Sequence, residues 1–266
     1  MFEQFYGMSF NPFSKSIQAK YALKTENFQQ VNTRLNHLLI TGGIGVVCAE
    51  SGTGKTFTMR SWSETLNRNT HRVIYICMST LSTAEFYRQL CYELGIEVPF
   101  RKIDMFRQIQ SRIKQLADEK GMKVVIIIDE AQYLSKSILE DFVMLTNFDM
   151  DSRDCFSLIL VGLPHLLVAM RSQPCEALRQ RIAVNYTFVP LRQEDAESYL
   201  TEMLRASGAD PNLFEHSAAM AAFASCSGSL RRLGAIATKA LMIGAQNQVR
   251  TITEEIVVAA VDEETL

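Results

Sequence analysis

Short hydrophobic runs alternate with longer amphipathic stretches over the first 190 positions of the chain. One run, 123–130, is almost continuously β-branched, which is typical of a central strand in a parallel sheet covered on both faces. Four shorter runs also end at polar or glycine-rich segments, as buried strands do. The predicted strands are 44–49, 72–78, 123–130, 156–162 and 184–189.

Between these runs the apolar positions recur at helical spacing, which predicts helices at 26–40, 56–67, 79–95, 101–116 and 137–148. The third helix has local end signals: Ser82 and Glu85 have capping-box spacing, and Gly95 stands at a C-terminal stop. In 101–116, the residues predicted on one apolar face are Ile103, Phe106, Ile113 and Leu116.

Alternation of strands and helices predicts an α/β fold, a doubly wound parallel sheet of five strands. After Pro190 only helical periodicity remains, so 191–266 is expected to be a small all-helical lid domain. We therefore expect an N-terminal extension packing on the core (1–43), an α/β nucleotide-binding core (44–190) and the lid (191–266).

Composition limits the function classes. The net charge is -2 and the pI is near 6.1, which argues against a polybasic nucleic-acid coat protein but leaves room for a local basic stripe. The six cysteines form no CxxC pair and are expected to be reduced. Since the sequence has no secretory signal and no run long enough to cross a bilayer, we expect a soluble, cytoplasmic protein without a membrane partner.

The segment "AESGTGKT", 49–56, follows the first predicted strand and precedes a helix. It fits the phosphate-binding pattern GxxxxGK[ST] except that Ala49 replaces the first glycine. Gly54 lets the backbone approach phosphate, Lys55 would reach the β- and γ-phosphates, and Thr56 would bind Mg²⁺. The residues expected to bind nucleotide are Glu50, Ser51, Gly52, Thr53, Gly54, Lys55, Thr56, Phe57 and Asp129.

Two carboxylates, Asp129 and Glu130, end the most apolar strand, 74 residues after Lys55. A carboxylate at a strand tip beside the loop can hold Mg²⁺ through water, and the next one can polarise an attacking water. The two motifs together predict ATP and Mg²⁺ as cofactors, and Glu130 favours hydrolysis over mere binding.

The segments "GTGKT", "IIIDEAQYL", "VGLP", "LRQRI" and "GSLRRL" together resemble an AAA+ ATPase (a P-loop NTPase) over nearly the whole chain. With "FYGMSFNPFSKS" and "EFYRQLCYELG", the chain more narrowly resembles the ExeA-like ATPases. These are similar to the ATPases that accompany DNA transposases, of the TnsC, TniB and IstB type.

The resemblance implies further roles. Arg181 would be an arginine finger acting on a neighbouring subunit, with Arg179 as the alternate. Arg231 would be the sensor II arginine of the lid, with Arg232 as a surface residue. At the sensor I position relatives often have a polar residue where this chain has Leu163, which implies slow, regulatory hydrolysis. The weak candidates for the adenine pocket are Tyr21 and the Gly42–Gly43 break.

The sequence has no Ser/His/Asp or Cys/His constellation, so nucleotide energy is expected to drive assembly or partner control. Cations on 101–116 and nearby could track a phosphate backbone without reading bases. The predicted DNA contacts are Arg88, Arg101, Lys102 and Arg107.

The first hypothesis is an ATP-dependent regulator of DNA transposition. It would form a homo-oligomeric ring or filament on target DNA and recruit or activate a transposase or another mobile-element protein. The alternatives are an ExeA-type secretion-associated ATPase, a helicase-loader-like ATPase and a P-loop small-molecule kinase.

Overall fold

The hydrophobic runs form one parallel sheet in the computed structural model, which describes residues 2–21, 23–77 and 80–263. Within these residues the strands are β1 (Gly43–Cys48), β2 (His71–Ile76), β3 (Lys123–Ile128), β4 (Phe156–Gly162) and β5 (Ile182–Thr187). Their order is β2-β3-β4-β1-β5, and every neighbouring pair is parallel. The predicted five-stranded parallel α/β sheet is thus confirmed. Met78 of the predicted second strand, and Ser79 after it, lie outside the described residues.

The helices connect and follow these strands. In chain order they are α1 (Phe2–Phe5), α2 (Glu26–Thr41), α3 (Lys55–Glu64), α4 (Thr83–Leu94), α5 (Lys102–Asp118), α6 (Lys136–Leu145), α7 (His165–Met170), α8 (Glu176–Gln180), α9 (Gln193–Ser207), α10 (His216–Ser225), α11 (Leu230–Gln246) and α12 (Glu254–Asp262). A 3₁₀ turn, Ala131–Tyr133, follows β3.

Both faces of the sheet are covered, as the apolar runs predict. Along β3, Ile126 faces a cluster that includes residues of α4, α5 and α6, whereas its neighbour Ile127 faces a cluster with α2 and α3. Trp62 of α3 is fully buried in the second cluster and donates its indole N–H to Asn36 Oδ1 at 2.9 Å. Since successive strand residues point to opposite faces, burial of both explains the continuous apolar run.

The chain divides into two compact units that are not continuous in sequence. The sheet unit comprises Gln29–Ala49 and Thr58–Phe188, and the helical unit comprises the described residues of Met1–Phe28, Glu50–Phe57 and Val189–Leu266. This division differs from the three consecutive ranges expected from the sequence.

The N-terminal segment accounts for most of that difference. Phe2 and Met8 lie in the hydrophobic cluster of the helical unit, and the Tyr6 hydroxyl donates to the Val249 carbonyl at 2.9 Å. The Ser9 N–H likewise donates to the Ser207 carbonyl at 2.8 Å. The described residues of 2–28 therefore complete the helical unit, whereas the extension was expected on the core.

Helix α4 has the predicted ends, and α5 buries most but not all of the predicted face. Ser82 and Glu85 form a capping box, and Gly95 adopts a left-handed conformation with φ 69°. In α5, however, Ile103 is 49% exposed, while Met105 and Ile109 are buried. Of the predicted face, Ile113 and Leu116 are buried and Phe106 packs against the same cluster, so only Ile103 was wrongly assigned.

Of the six free cysteines, five are buried and Cys77 is exposed. None of the helices formed by the described residues is both long and apolar enough to span a membrane.

Candidate nucleotide site

The loop that follows β1 begins with Ala49, the position where the phosphate-binding pattern has glycine. Ala49 is 1% exposed and donates its N–H to the Gly162 carbonyl at 3.0 Å, which continues the pairing of β1 with β4. Its φ is not positive, so a residue with a side chain can adopt this backbone conformation without strain. The alanine methyl is therefore accommodated at the end of the strand.

The two glycines farther along the loop do have left-handed backbones. Gly52 has φ +77° and Gly54 has φ +97°. A Cβ on Gly52 would lie 2.2 Å from Ser229 Oγ, and its carbonyl accepts the Arg231 N–H at 2.9 Å. Lys55, which begins α3, is buried with 6% exposure. The loop thus presents a buried ammonium at a helix N-terminus, where orphan N–H groups favour anions.

Helix α11 begins beside Gly52, in the same unit. Ser229 caps this helix by accepting the Arg232 N–H at 3.3 Å. The Arg231 side chain is exposed and that of Arg232 is half-buried. Arg231 is thus the more exposed of the two, although the sequence had suggested Arg232 as the surface residue.

A small cleft in the helical unit adjoins the loop through Thr53. Its lining residues are Thr25, Glu26, Asn27, Thr53, Val189, Leu191, Asp195, Gly228 and Leu230. The Asn27 side-chain amide holds the Val189 backbone twice, since Nδ2 donates to the carbonyl and Oδ1 accepts the N–H, each at 2.9 Å.

The weak adenine-pocket candidates lie elsewhere. Tyr21 packs against Phe10 with tilted rings whose centroids are 4.9 Å apart, and Gly42 and Gly43 line a different cavity. Sequence reasoning missed the cleft, because its residues come from four separated segments.

A hydrogen-bond network organises the two carboxylates after β3. Asp129 is 2% exposed; its Oδ2 accepts the Tyr75 hydroxyl at 2.8 Å and its Oδ1 accepts the Glu130 N–H at 2.9 Å. Burial, and then the hydrogen bond to Asp129, raises the pKa of Tyr75, which keeps the phenol protonated as a donor. Asp129 is therefore held in one orientation.

Glu130 has a left-handed backbone with φ 54°, an uncommon conformation for a residue with a side chain. Its Oε2 accepts a hydrogen bond from Gln132 Nε2 at 2.7 Å. Gln132 Oε1 accepts the N–H of Leu163, the residue after β4, at 3.0 Å. Gln132 was not predicted as a site residue; its only sequence signal is its place two residues after Glu130.

Arg181 immediately precedes β5, at the amino edge of the sheet, whereas the phosphate-binding loop follows the carboxyl end of β1. Its guanidinium makes a bidentate ion pair with Asp151, with Nη2 2.8 Å from Oδ2. A polar cavity of about 390 Å³ adjoins this pair. Asp151 ends a run of three left-handed residues that begins at Asp149.

Arg179, the alternate to Arg181, is engaged with the backbone. Its Nη1 donates to the carbonyls of Met170 and Ser172, at 2.6 and 3.0 Å. These contacts give Arg179 a structural role in holding the segment between α7 and α8.

The predicted DNA contacts lie on α4, on α5 and at the N-cap of α5, and two of the four are paired with acids. Arg101 Nε is 2.8 Å from Asp104 Oδ2, and Lys102 Nζ is 2.5 Å from Asp141 Oδ2. Arg88 and Arg107 are exposed. Partial neutralisation lowers the positive potential that this surface can offer to phosphate.

Residues 39–170 match the sequence family described as AAA domain. The chain is similar to general secretion pathway protein A of Aeromonas hydrophila, with 29% identity over 246 residues that make up 91% of this chain and 44% of that protein. It is also similar to the ATP-dependent target DNA activator B of Escherichia phage Mu, with 32% identity over 124 residues, 46% of this chain and 37% of that protein. The chain thus spans less than half the length of these curated relatives.

Among solved structures, the fold is similar to that of Cdc6p from Pyrobaculum aerophilum, with a TM-score of 0.71 at 18% identity, covering 95% of this chain and 70% of that one. It is also similar to the Aeropyrum pernix ORC1 protein in complex with DNA, with a TM-score of 0.68 at 15% identity, covering 95% and 68%. At these identities the likeness concerns the fold, which is the AAA+ fold expected from the sequence.

Proposed function

Because the chain is an AAA+ protein related both to a secretion-pathway protein and to a phage target DNA activator, we propose that it binds and slowly hydrolyses ATP to control assembly on DNA. One observation carries the proposal: β1, which leads into the glycine loop, and β3, which leads into Asp129 and Glu130, end at the same edge of the parallel sheet.

The residues of the loop fit a nucleotide phosphate. The buried Lys55 ammonium has little access to water, and a phosphate supplies the countercharge that such burial calls for. The N–H groups of 50–57 would donate to phosphate oxygens at the start of α3. Thr56, and Asp129 through water, are the residues that would hold Mg²⁺, which would neutralise phosphate charge.

Glu130 orients the attacking water as general base. Asp129 and Glu130 serve different tasks, metal binding and proton acceptance. The Asp129 carboxylate is anchored by Tyr75, whereas the Glu130 carboxylate is anchored by Gln132. In the helical unit, Leu191 and Leu230 give the cleft beside Thr53 apolar surface for the adenine ring. Arg231, at the start of α11, is the lid residue that responds to the phosphates.

Arg181 acts in a neighbouring copy. It precedes β5 at the amino edge of the sheet, one strand length of about 20 Å from the edge where the loop begins. An arginine there serves a nucleotide only across an interface between copies, which couples ATP to a homo-oligomeric ring or filament.

The partners we propose are DNA, bound largely without sequence preference, and a transposase or another mobile-element protein. The relative named as an ATP-dependent target DNA activator supports this assignment. With Arg101 and Lys102 paired to acids, Arg88 and Arg107 carry most of the contribution of each subunit. In an oligomer, each subunit repeats these contacts, so their small contributions to DNA affinity add together.

A secretion-associated ATPase is the second candidate, and the similarity to general secretion pathway protein A over 91% of this chain favours it. A helicase-loader-like ATPase uses the same nucleotide chemistry. These candidates differ from the first in whether ATP controls binding to duplex DNA and a transposase.

The deciding experiment measures duplex-DNA binding with and without ATP for the wild type, Lys55→Ala and Glu130→Gln. We expect Lys55→Ala to lose nucleotide and DNA binding together, and Glu130→Gln to bind DNA in a long-lived ATP state. Lys120→Ala and Glu140→Gln, two exposed positions, are the matched controls.

Two outcomes decide against the proposal. ATP binding by the wild type without any ATP-dependent DNA binding would favour the secretion candidate. Electron microscopy showing only monomers with duplex DNA and a slowly hydrolysed ATP analogue would reject the assembly role.

A further inference from the structure

A single side-chain amide connects the proposed general base to the end of the neighbouring strand. Gln132 Nε2 donates to Glu130 Oε2 at 2.7 Å, while Gln132 Oε1 accepts the Leu163 N–H at 3.0 Å. β3 and β4 are adjacent in the sheet, so this amide spans the gap between their carboxyl ends. Both functional atoms of the amide are thereby used.

The orientation of this amide is determined by its partners. The Leu163 N–H is a donor that cannot change role, so the carbonyl oxygen of Gln132 must face it. The NH₂ group then necessarily faces Glu130, where a carboxylate accepts it. The reverse orientation would place a donor against the Leu163 donor and the amide oxygen against the carboxylate, which is doubly unfavourable.

The chain leaves space for this side chain at the end of β4. A Cβ on Gly162 would lie 2.7 Å from Gln132 Oε1 and 3.1 Å from Leu166 Cδ2. Gly162 does not have a positive φ, so its backbone conformation alone does not call for glycine. A Cβ there would therefore have to displace the Gln132 amide first, while Leu166 and the Gln132 backbone N, 3.3 Å away, leave it only a tight fit.

We propose that Gln132 is the positioning residue for Glu130, and that its amide supplies at the end of β4 the polar group that the Leu163 side chain lacks. The inference rests on the proposed ATP hydrolysis. Glu130 Oε2 is held by Gln132, which limits the rotation of a carboxylate on a strained, left-handed residue. The other oxygen, Oε1, remains to accept a proton from water.

A merely structural role for Gln132, tying β3 to β4, makes a different prediction from a positioning role. Gln132→Glu has the same length and keeps an acceptor for the Leu163 N–H, but it replaces the donor to Glu130 with a second carboxylate, so its effect includes charge repulsion. Gln132→Met keeps the length and loses both hydrogen bonds. Tyr133→Phe, at an exposed position of the same 3₁₀ turn, is the matched control.

The test measures kcat and KM for ATP, the Kd of a slowly hydrolysed analogue, and the thermal midpoint of each variant. We expect Gln132→Glu and Gln132→Met to lower kcat by about tenfold or more, a part of the usual contribution of a general base. The analogue Kd should stay within about threefold of the wild type, because the phosphate-binding loop is untouched. Tyr133→Phe should behave as the wild type.

A coupling measurement gives an independent readout. Gly162→Ala should lower kcat in the wild-type background by displacing Gln132, and it should have little further effect on kcat in the Gln132→Ala background. Equal effects of Gly162→Ala in both backgrounds would show that it acts without Gln132.

The inference is overturned if Gln132→Glu keeps the wild-type kcat, or if its loss of kcat is matched by equal losses of analogue binding and thermal stability. The proposed function is judged separately by the wild type and Glu130→Gln. A wild type that binds ATP without hydrolysing it rejects both; hydrolysis by the wild type and not by Glu130→Gln sustains the function whatever Gln132 does.

Discussion

Tyr75→Phe tests how the buried carboxylate after β3 is held. The change removes only the hydroxyl that donates to Asp129 Oδ2 at 2.8 Å, and leaves the ring in place. A hydrogen bond to a charged group contributes about 1.5–3 kcal/mol. Since the Tyr75 residue is 43% exposed, water can partly replace the hydroxyl, and we expect a loss near the lower end, about 1.5 kcal/mol.

The assay is urea unfolding without nucleotide, which gives the free energy of unfolding. The comparison requires that this free energy falls with urea concentration at the same slope in the wild type and the variant. Tyr92→Phe is the control, because Tyr92 is 74% exposed and its hydroxyl loss should cost less than about 0.5 kcal/mol. A loss in Tyr75→Phe no larger than that in Tyr92→Phe would refute the anchoring of Asp129 by this phenol.

The same anchoring also predicts the direction in which the stability of the folded protein changes with pH. The pKa of Tyr75 is raised in the folded state, chiefly by burial and then by Asp129, so the proton on the phenol stabilises the fold. That stabilisation is fully present below the unfolded pKa of about 10 and is lost as the pH rises above it. The free energy of unfolding of the wild type should therefore exceed that of Tyr75→Phe by a constant amount up to about pH 9. Above about pH 10 the difference should become smaller.

Three further predictions concern other parts of the chain. Gly52→Ala should lower the thermal midpoint and ATP affinity, with a loss of more than about 2 kcal/mol, since a left-handed alanine would also clash with Ser229 Oγ; unchanged ATP affinity would contradict the loop geometry. Gly234→Ala in α11 should stabilise by about 0.5–1 kcal/mol, because its Cβ meets neighbours at an ordinary 3.5 Å; destabilisation in thermal unfolding would contradict this. Arg181→Ala should remove the rise of specific ATPase activity with protein concentration, whereas Asp151→Asn, which weakens the ion pair of Arg181, should keep or enhance it; a concentration dependence that survives Arg181→Ala would exclude action across an interface.

Local patterns determined most of the secondary structure. β4 lies at 156–162, as predicted, and α4 has its predicted cap and stop, because these signals depend on residues only a few positions apart. The glycine loop and the Asp129–Glu130 pair were also recognisable, since each depends on residue types at a fixed short spacing.

The face that a helix buries was less well determined by the sequence. In α5 the expected contacts Ile113 and Leu116 are buried as predicted, but Ile103 is exposed, and the buried Met105 and Ile109 were not predicted. Apolar residues occur on more than one face of this helix, and only the neighbouring elements select between them.

By itself, the sequence determined the five strands, their alternation with helices, and the residues offered to nucleotide. The sheet order β2-β3-β4-β1-β5 was decided only by the tertiary structure, and with it the contact of Gln132 with Leu163 across 31 positions. The pairing of Arg181 with Asp151 was decided in the same way, as was the packing of the described N-terminal residues, 2–21 and 23–28, within the helical unit. The physical reason is that such contacts depend on which strands and helices become neighbours, which is set by burial of the whole core rather than by any local pattern.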